Sequence, residues 1–227
     1  LTRLGLWDNE LTSIPESIGN LSNLEKLSLG FNQITEFPDS FCNLIKLQWL
    51  GLSRNTLTKF PECIGDLSSL EWVHSSSNQL TTLPESIGDL ENLEYLVLWN
   101  NQLTTLPESI GSLKNLTQLN LNYNQLTTLP ESFGNLTNLR QLSLDMNQLT
   151  TLPESFGSLD SLKWLILGRD LSLFDNNPLT TLPESFGSLI SLIELELNNT
   201  QLNLLPESIG NLINLERLQL NNNQLTT

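Results

Sequence analysis

The chain reads as a curved α/β repeat solenoid: equal coils stacked side by side, one parallel β-sheet along the inside and short 3₁₀ or irregular turns along the outside. Three observations predict it. Leucine opens a block at Leu1, Leu24, Leu47, Leu70, Leu93, Leu116, Leu139, Leu162, Leu192 and Leu215, and every interval is 23 residues except the 30 between Leu162 and Leu192. Within each block, apolar residues at positions 4 and 6 alternate with variable ones. An asparagine returns at position 9 as Asn9, Asn32, Asn55, Asn78, Asn101, Asn124, Asn147, Asn177 and Asn223. A fixed period in this range is the mark of a solenoid, in which each unit buries its apolar face only against its neighbours.

The first half of the block, LxxLxLxx, carries the period-two pattern of a strand with one face buried. Strands joined by identical connections stack in parallel at about 4.8 Å. The asparagine that follows is a buried amide able to donate to and accept from the loop backbones of adjacent coils, a structural ladder. The second half, LPESIGxL, begins with a proline where a missing N–H costs nothing and an acid just inside the turn. Its glycine is expected to end the turn. Convex turns occupy more room than stacked strands, which bends the stack. Nine full repeats begin at residues 1, 24, 47, 70, 93, 116, 139, 162 and 192, and a partial one at 215, so residues 1–227 are expected to form a single repeat domain. No capping coil is visible, and the thirteen-residue last coil is expected to fray. Seven extra residues lie within 162–191, around 168–176 (GRDLSLFDN), and must leave the strand's end and project from the rim.

Where the chain spells its consensus, as in LEYLVLWNNQLTTLPESIG from Leu93 to Gly111, it resembles the leucine-rich-repeat family over its whole length. The resemblance implies a curved right-handed leucine-rich-repeat horseshoe. The LPxSIGxL half and the 23-residue length are similar to the Ras-group intracellular proteins of plants and animals and to bacterial counterparts. It implies a protein-binding solenoid rather than a catalyst. Extracellular relatives usually close their ends with cysteine-rich caps, absent here, so the reading leans to an intracellular chain. Cys42 and Cys63 are too few for a disulfide framework and lack CxxC spacing. They occupy non-equivalent positions of adjacent coils, which leaves a bridge open, but two free thiols are expected.

Composition narrows the function. A formal net charge of −15 with a pI near 4.2 argues against nucleic acid and against anionic membrane surfaces. No apolar run approaches the roughly 18 residues of a spanning helix. Glycines sit at turn positions rather than in a phosphate-binding pattern. The single histidine, His74, lacks metal partners at ligand spacing. Its setting, His74-Ser75-Ser76-Ser77, makes a Ser–His pair conceivable, but neighbouring strand residues point to opposite faces. No cofactor, metal site or catalytic residue is indicated. Acids recur at position 16 from Glu16 to Glu207, each favouring the start of its turn; calcium or a basic partner is the rival reading.

Variable positions 2, 3, 5, 7 and 8 must face the concave side, and all five tryptophans fall there. Candidate partner-binding residues are Trp7, Phe31, Trp49, Arg54, Trp72, His74, Tyr95, Trp99, Tyr123, Arg140, Trp164 and Arg169, with Leu171, Leu173 and Phe174 on the insertion. Aromatic side chains give large contact area at low entropic cost and dominate binding hot spots. Trp49, Trp72 and Tyr95 share position 3 of three consecutive coils and mark the expected centre. The competing explanation is a self-packing ladder that stiffens the sheet. Charge is segregated too. The concave positions hold seven basic residues against eight acids, while the remaining positions carry nearly all of the negative charge. That balance suits a protein partner with a basic approach surface.

Two departures concern the interior: Ser75 replaces an inward leucine, as a tolerated defect or a tuned pocket beside Trp72, and Thr200 replaces a ladder asparagine. The insertion either grips a partner or folds over the solenoid's edge. The expected function is a protein-interaction module binding a protein or peptide on its concave face. Alternatives are the recognition segment of an enzyme, such as a ubiquitin ligase, kinase or GTPase catalysing elsewhere in the chain, and a microbial surface or secreted adhesion protein.

Overall fold

A computed structural model describes residues 1–170 and 176–226. Ten parallel strands form one open curved sheet in chain order: β1 (Arg3–Gly5), β2 (Lys26–Ser28), β3 (Trp49–Gly51), β4 (Trp72–His74), β5 (Tyr95–Val97), β6 (Gln118–Asn120), β7 (Gln141–Ser143), β8 (Trp164–Gly168), β9 (Glu194–Leu197) and β10 (Arg217–Gln219). Every strand starts at position 3, and pairing aligns equivalent positions: Trp49 with Trp72, Leu50 with Val73, Gly51 with His74. The leucines at positions 4 and 6 turn inward and, between the terminal coils, lose all exposure to solvent. The ladder also runs past the strands, since the position-6 and position-8 N–H groups donate to the next coil, as in Leu29 to Gly51 O at 2.8 Å and Phe31 to Ser53 O at 2.8 Å.

The asparagine ladder forms as expected. The Asn55 Nδ2 donates to Leu29 O (3.0 Å) in the preceding coil and Leu52 O (2.9 Å) in its own, while its Oδ1 accepts from the Ile34 N–H (2.9 Å). Its geometry depends on something the sequence did not announce. Nine of the ten position-8 residues, Phe31, Arg54, Tyr123 and Met146 among them, hold φ of 54–57° in the left-handed region, Arg169 being the exception. Each costs about 1 kcal/mol or more as a non-glycine residue, offset by the three bonds its neighbouring amide then makes. Thr200 recovers part of the pattern: its hydroxyl donates to Leu197 O or Asn223 Oδ1, each at 2.9 Å.

Nine 3₁₀ turns stack on the convex side among the described residues, most of them five residues long, as in Glu85–Asp89, and entered from a proline with φ near −70°. The stacking is carried by the Pro-Glu-Ser segment. The Ser40 hydroxyl donates to Glu16 O (2.6 Å) and the Ser40 N–H to the Glu16 carboxylate (3.2 Å), and Ser132 repeats both bonds to Glu108. Glu16, Glu85 and Glu108 at position 16 thereby accept from the serine N–H at the start of the next turn. A second amide ladder runs beside them, as in Asn92 to Ser68 O at 2.9 Å.

Two expectations need correction. The convex glycine does not end its turn in a left-handed conformation; no described glycine has positive φ, and these lie inside the turn. It is glycine because a Cβ on Gly88 would stand 2.6 Å from the Ser109 Cβ of the next coil. Cys42 and Cys63 are not free: they are joined by a disulfide with a Cα–Cα distance of 6.0 Å. The facing of positions 19 and 17 across one interface is what brings them together. In the last coil β10 pairs in register with β9, while Ile213 and Leu218 stay exposed.

If close approach, not backbone freedom, selects glycine, Gly111→Ala drives a methyl to within 2.8 Å of the Ser132 carbonyl carbon. A loss of about 1–3 kcal/mol is expected from urea unfolding midpoints. Gly210→Ala, with nothing within 4 Å of the added carbon, is expected to be neutral or stabilising by up to about 1 kcal/mol.

Candidate functional site on the concave face

None of the concave aromatic rings lies in the apolar filling. Trp7, Phe31, Tyr95 and Trp164 are exposed; Trp49, Trp72, Trp99 and Tyr123 are half-buried against the sheet. Glycine makes the seats. A Cβ on Gly51 would lie 2.5 Å from the Trp49 indole, and one on Gly30 would lie 2.9 Å from that of Trp7. Both rings therefore lie along the surface over bare backbone. Register then pairs them: Trp49 stacks on Trp72 at 4.7 Å between centroids and 19° between planes, and Trp72 meets the His74 ring edge-on at 5.4 Å. At the N-terminal end Trp7 packs against Phe31 at 4.7 Å, and the Arg54 guanidinium covers the Phe31 ring at 4.6 Å. These contacts contain both halves of the sequence reading, since the rings support one another and still present surface.

His74 and Ser76 are two residues apart and share a face, so the expectation that strand geometry separates them was misapplied. The Ser76 Oγ and His74 Nε2 are 2.8 Å apart, and Ser76 continues to Ser53 Oγ at 3.1 Å. Burial lowers the His74 pKa. Among the described residues no carboxylate forms an ion pair with the imidazole, so the acid that orients a catalytic histidine is missing. Ser75, fully buried, accepts from Asn78 Nδ2 at 3.3 Å through its Oγ, and the hydroxyl is thereby absorbed into the asparagine ladder.

Between β5 and β8 the surface opens into a cavity of about 560 Å³ lined by Tyr95, Gln118, Gln141 and Trp164 along position 3, with Glu94 and Arg140 beside them. It is polar, with an aromatic ring at each end. The side chains of Gln118 and Gln141 were not singled out by sequence, where a glutamine at a variable position carries no distinctive signal.

The C-terminal rim holds an unexpected group. Asp145, at position 7, is fully buried, and neither carboxylate oxygen has a hydrogen-bond partner; the Asn122 Oδ1 one coil back is also without one. Burial pushes the Asp145 pKa up to about 6, opposed by the Arg169 guanidinium, whose Nε lies 3.5 Å away. Arg169 is held from behind: Asn176 donates to Arg169 O (2.9 Å) and accepts from its N–H (3.3 Å), and Asn199 donates to the same carbonyl (2.8 Å). This clasp closes the neck of the insertion. Leu171, Leu173 and Phe174 lie outside the described residues. Among those that are described, no group of three or more histidine, cysteine or acidic side chains is placed to hold a metal ion, and no helix is long and apolar enough to cross a membrane.

Residues 1–57 match the model of the leucine rich repeat family, and residues 81–172 that of a leucine-rich repeat region. Among curated proteins none matches the chain. A leucine-rich-repeat protein of Leptospira interrogans superposes with a TM-score of 0.92 at 37% identity over 100% of this chain. The leucine-rich repeat domain of the type III effector XopL gives 0.84 at 29% identity, covering 96% of this chain and 76% of that one. A plant peptide hormone receptor, RGFR1, solved in complex with RGF2, gives 0.78 at 30% identity over 98% of this chain. The chain spans 56% of the Leptospira protein and 40% of the receptor. It belongs to the leucine-rich-repeat family.

Asp145 supplies a pH test. Its pKa rises on folding from the ordinary 3.8 to about 6, so the folded state disfavours the charged form. The stability this group contributes is present below pH 3.8 and lost as pH rises through 6. Asp145→Asn is therefore expected to gain stability over the wild type at pH 7.5, on the order of 2 kcal/mol, with the gain shrinking by pH 5. Denaturant titrations at the two pH values check it.

Proposed function

We propose that this chain is a protein-interaction module that docks a protein or peptide partner on its concave face. One observation carries the reading: aromatic rings line one open sheet, ordered by stacking and glycine seats, with part of each ring left exposed. Such rings bury area on binding without a large loss of side-chain entropy, which is the economy of a hot spot. The polar cavity between Tyr95 and Trp164 adds hydrogen-bonding groups next to that surface. Negative charge concentrated on the remaining positions steers a partner with a basic face toward the molecule.

Family membership supports the class of function, since domains of this kind are typically non-catalytic interaction modules. The plant receptor solved with RGF2 supports a peptide as one form of partner. The chain spans little more than half of the Leptospira protein, and XopL carries such repeats as one domain of an effector. Recognition on behalf of a larger protein is therefore included in the proposal.

A displayed library of random twelve-residue peptides, panned on the wild type and counter-selected on the Trp49→Ala, Trp72→Ala, Trp99→Ala triple variant, tests the surface. Enriched peptides are expected to be rich in lysine and arginine and to lose at least tenfold in affinity for the variant. Unchanged affinity, with the variant's circular dichroism intact, would exclude the concave aromatics as the docking site. Trp72→Ala alone is expected to cost about 1 kcal/mol in thermal unfolding, the size of one aromatic pair. A loss of several kcal/mol would mark the rings as a structural ladder.

A further inference from the structure

The disulfide stands at a point that the repeat defines by itself. Among the nine coils that reach the convex turn, position 19 is glycine in all but one, where it is Cys42. Position 17 is serine in all but one, where it is Cys63. These two positions face each other across an interface: a Cβ on Gly65 would lie 2.5 Å from the Ser86 carbonyl oxygen, and one on Gly88 2.6 Å from the Ser109 Cβ. A side chain at position 19 therefore has no room in an ordinary interface. Cys42 is the one exception, and the residue it faces is the one other cysteine. Both halves of a steric pair are replaced together, and by the only side chains that can turn an impossible contact into a bond.

The surroundings have adjusted to that bond. The third turn keeps its proline entry, the Ile64 N–H donating to Pro61 O at 3.0 Å as at equivalent positions elsewhere, but its regular part covers only Ile64–Asp66, with Cys63 at φ −87° and ψ 11°. The convex side opens here into a cavity of about 600 Å³ that includes Phe37, Lys59, Pro61 and both cysteines in its wall. The convex turns of coils two and three are thus less closely packed than at the other joints, while Phe41 and Ile64 beneath them stay buried, and the covalent link spans the joint. In a solenoid whose stability is a sum over adjacent interfaces, a weakened joint is the place where a cross-link matters most.

We infer that Cys42–Cys63 is a permanent covalent splint and that the chain folds and works in an oxidising compartment, outside the reducing cytosol. Forming it removes two electrons and two protons from the two thiols. They pass by thiol–disulfide exchange to an oxidised thiol reagent, a protein disulfide or oxidised glutathione, which leaves as two thiols. Cross-links of this structural kind persist where such oxidants prevail and are kept open in the cytosol. The inference stands independently of the docking surface. It narrows the partner to one met outside the cytosol, against the intracellular leaning of the sequence resemblance.

Two measurements test it. Protein from its native source, quenched in acid and treated with PEG-maleimide, is expected to take up no label until a phosphine reductant is added and two labels afterwards. Thermal unfolding of the wild type is expected to drop by about 5 °C or more in the reductant. The Cys42→Gly, Cys63→Ser variant, which restores the ordinary pair, should melt within about 3 °C of the oxidised wild type and ignore the reductant. Two labels before reduction would overturn the compartment, and a reduced wild type melting as high as the oxidised one would overturn the splint.

Discussion

Everything in this molecule follows from one constraint: each coil is covered only by its neighbours, one strand spacing away on either side. No second layer exists to satisfy a buried polar group or fill a gap, so every group must find its partner at an equivalent position in the next coil. The asparagine amide meets this most directly, tying one carbonyl and one N–H of the preceding coil to a carbonyl of its own from a single side chain. Its bonds hold the strand's end in the left-handed conformation of position 8, and that conformation aims the next variable side chain at the concave rim. A contact made for backbone satisfaction thereby decides which surface is displayed.

The same constraint explains why contacts on the displayed surface run in columns. Trp49 and Trp72 stack because both occupy position 3; Arg217 and Glu194 form a 2.8 Å ion pair because they occupy it in the last two coils. In the interior, Phe133, Phe156 and Phe186 repeat at 6.1 Å with planes within 3° of parallel. Self-packing and partner binding are not opposed in such an arrangement. A ring supported by its column is ordered by its neighbours while part of it stays exposed, so the stiffness of the ladder is what makes the surface cheap to bind.

Periodicity made the sheet, its register, the asparagine ladder and the inward leucines legible, because each depends only on a residue type recurring at one phase. The concave aromatics were placed correctly for the same reason. What escaped notice depends on relations between positions. Left-handed backbone at position 8 was hidden by Phe31, Tyr123 and Met146, although Asp8, Asn100, Asn199 and Asn222 carried the asparagine and aspartate signal for it. The role of the convex glycine was misread from its own position alone, when the cause sits seventeen places into the following repeat. Asp145 was counted among concave charges; nothing in one sequence distinguishes an exposed acid from one sealed beneath an arginine clasped by Asn176 and Asn199.

Read by interfaces rather than by coils, the departures from consensus cease to be scattered. Cys42 in the second coil is answered by Cys63 in the third. Gly168, where β8 slips register against β9, leaves the space that Thr200 fills in the following coil, since a Cβ there would lie 2.5 Å from the threonine Cγ2. The carbonyl of Arg169, in the altered neck of the insertion, is taken by Asn199 across that interface. Each irregular residue thus has its compensation within one strand spacing, as a chain with no other neighbours requires. The exception is Asp145, whose buried oxygens find no hydrogen-bond partner on either side and are met only by the charge of the Arg169 guanidinium 3.5 Å away. A buried carboxylate compensated by charge alone resists ionisation, which is why its pKa is raised to about 6 in spite of the guanidinium beside it.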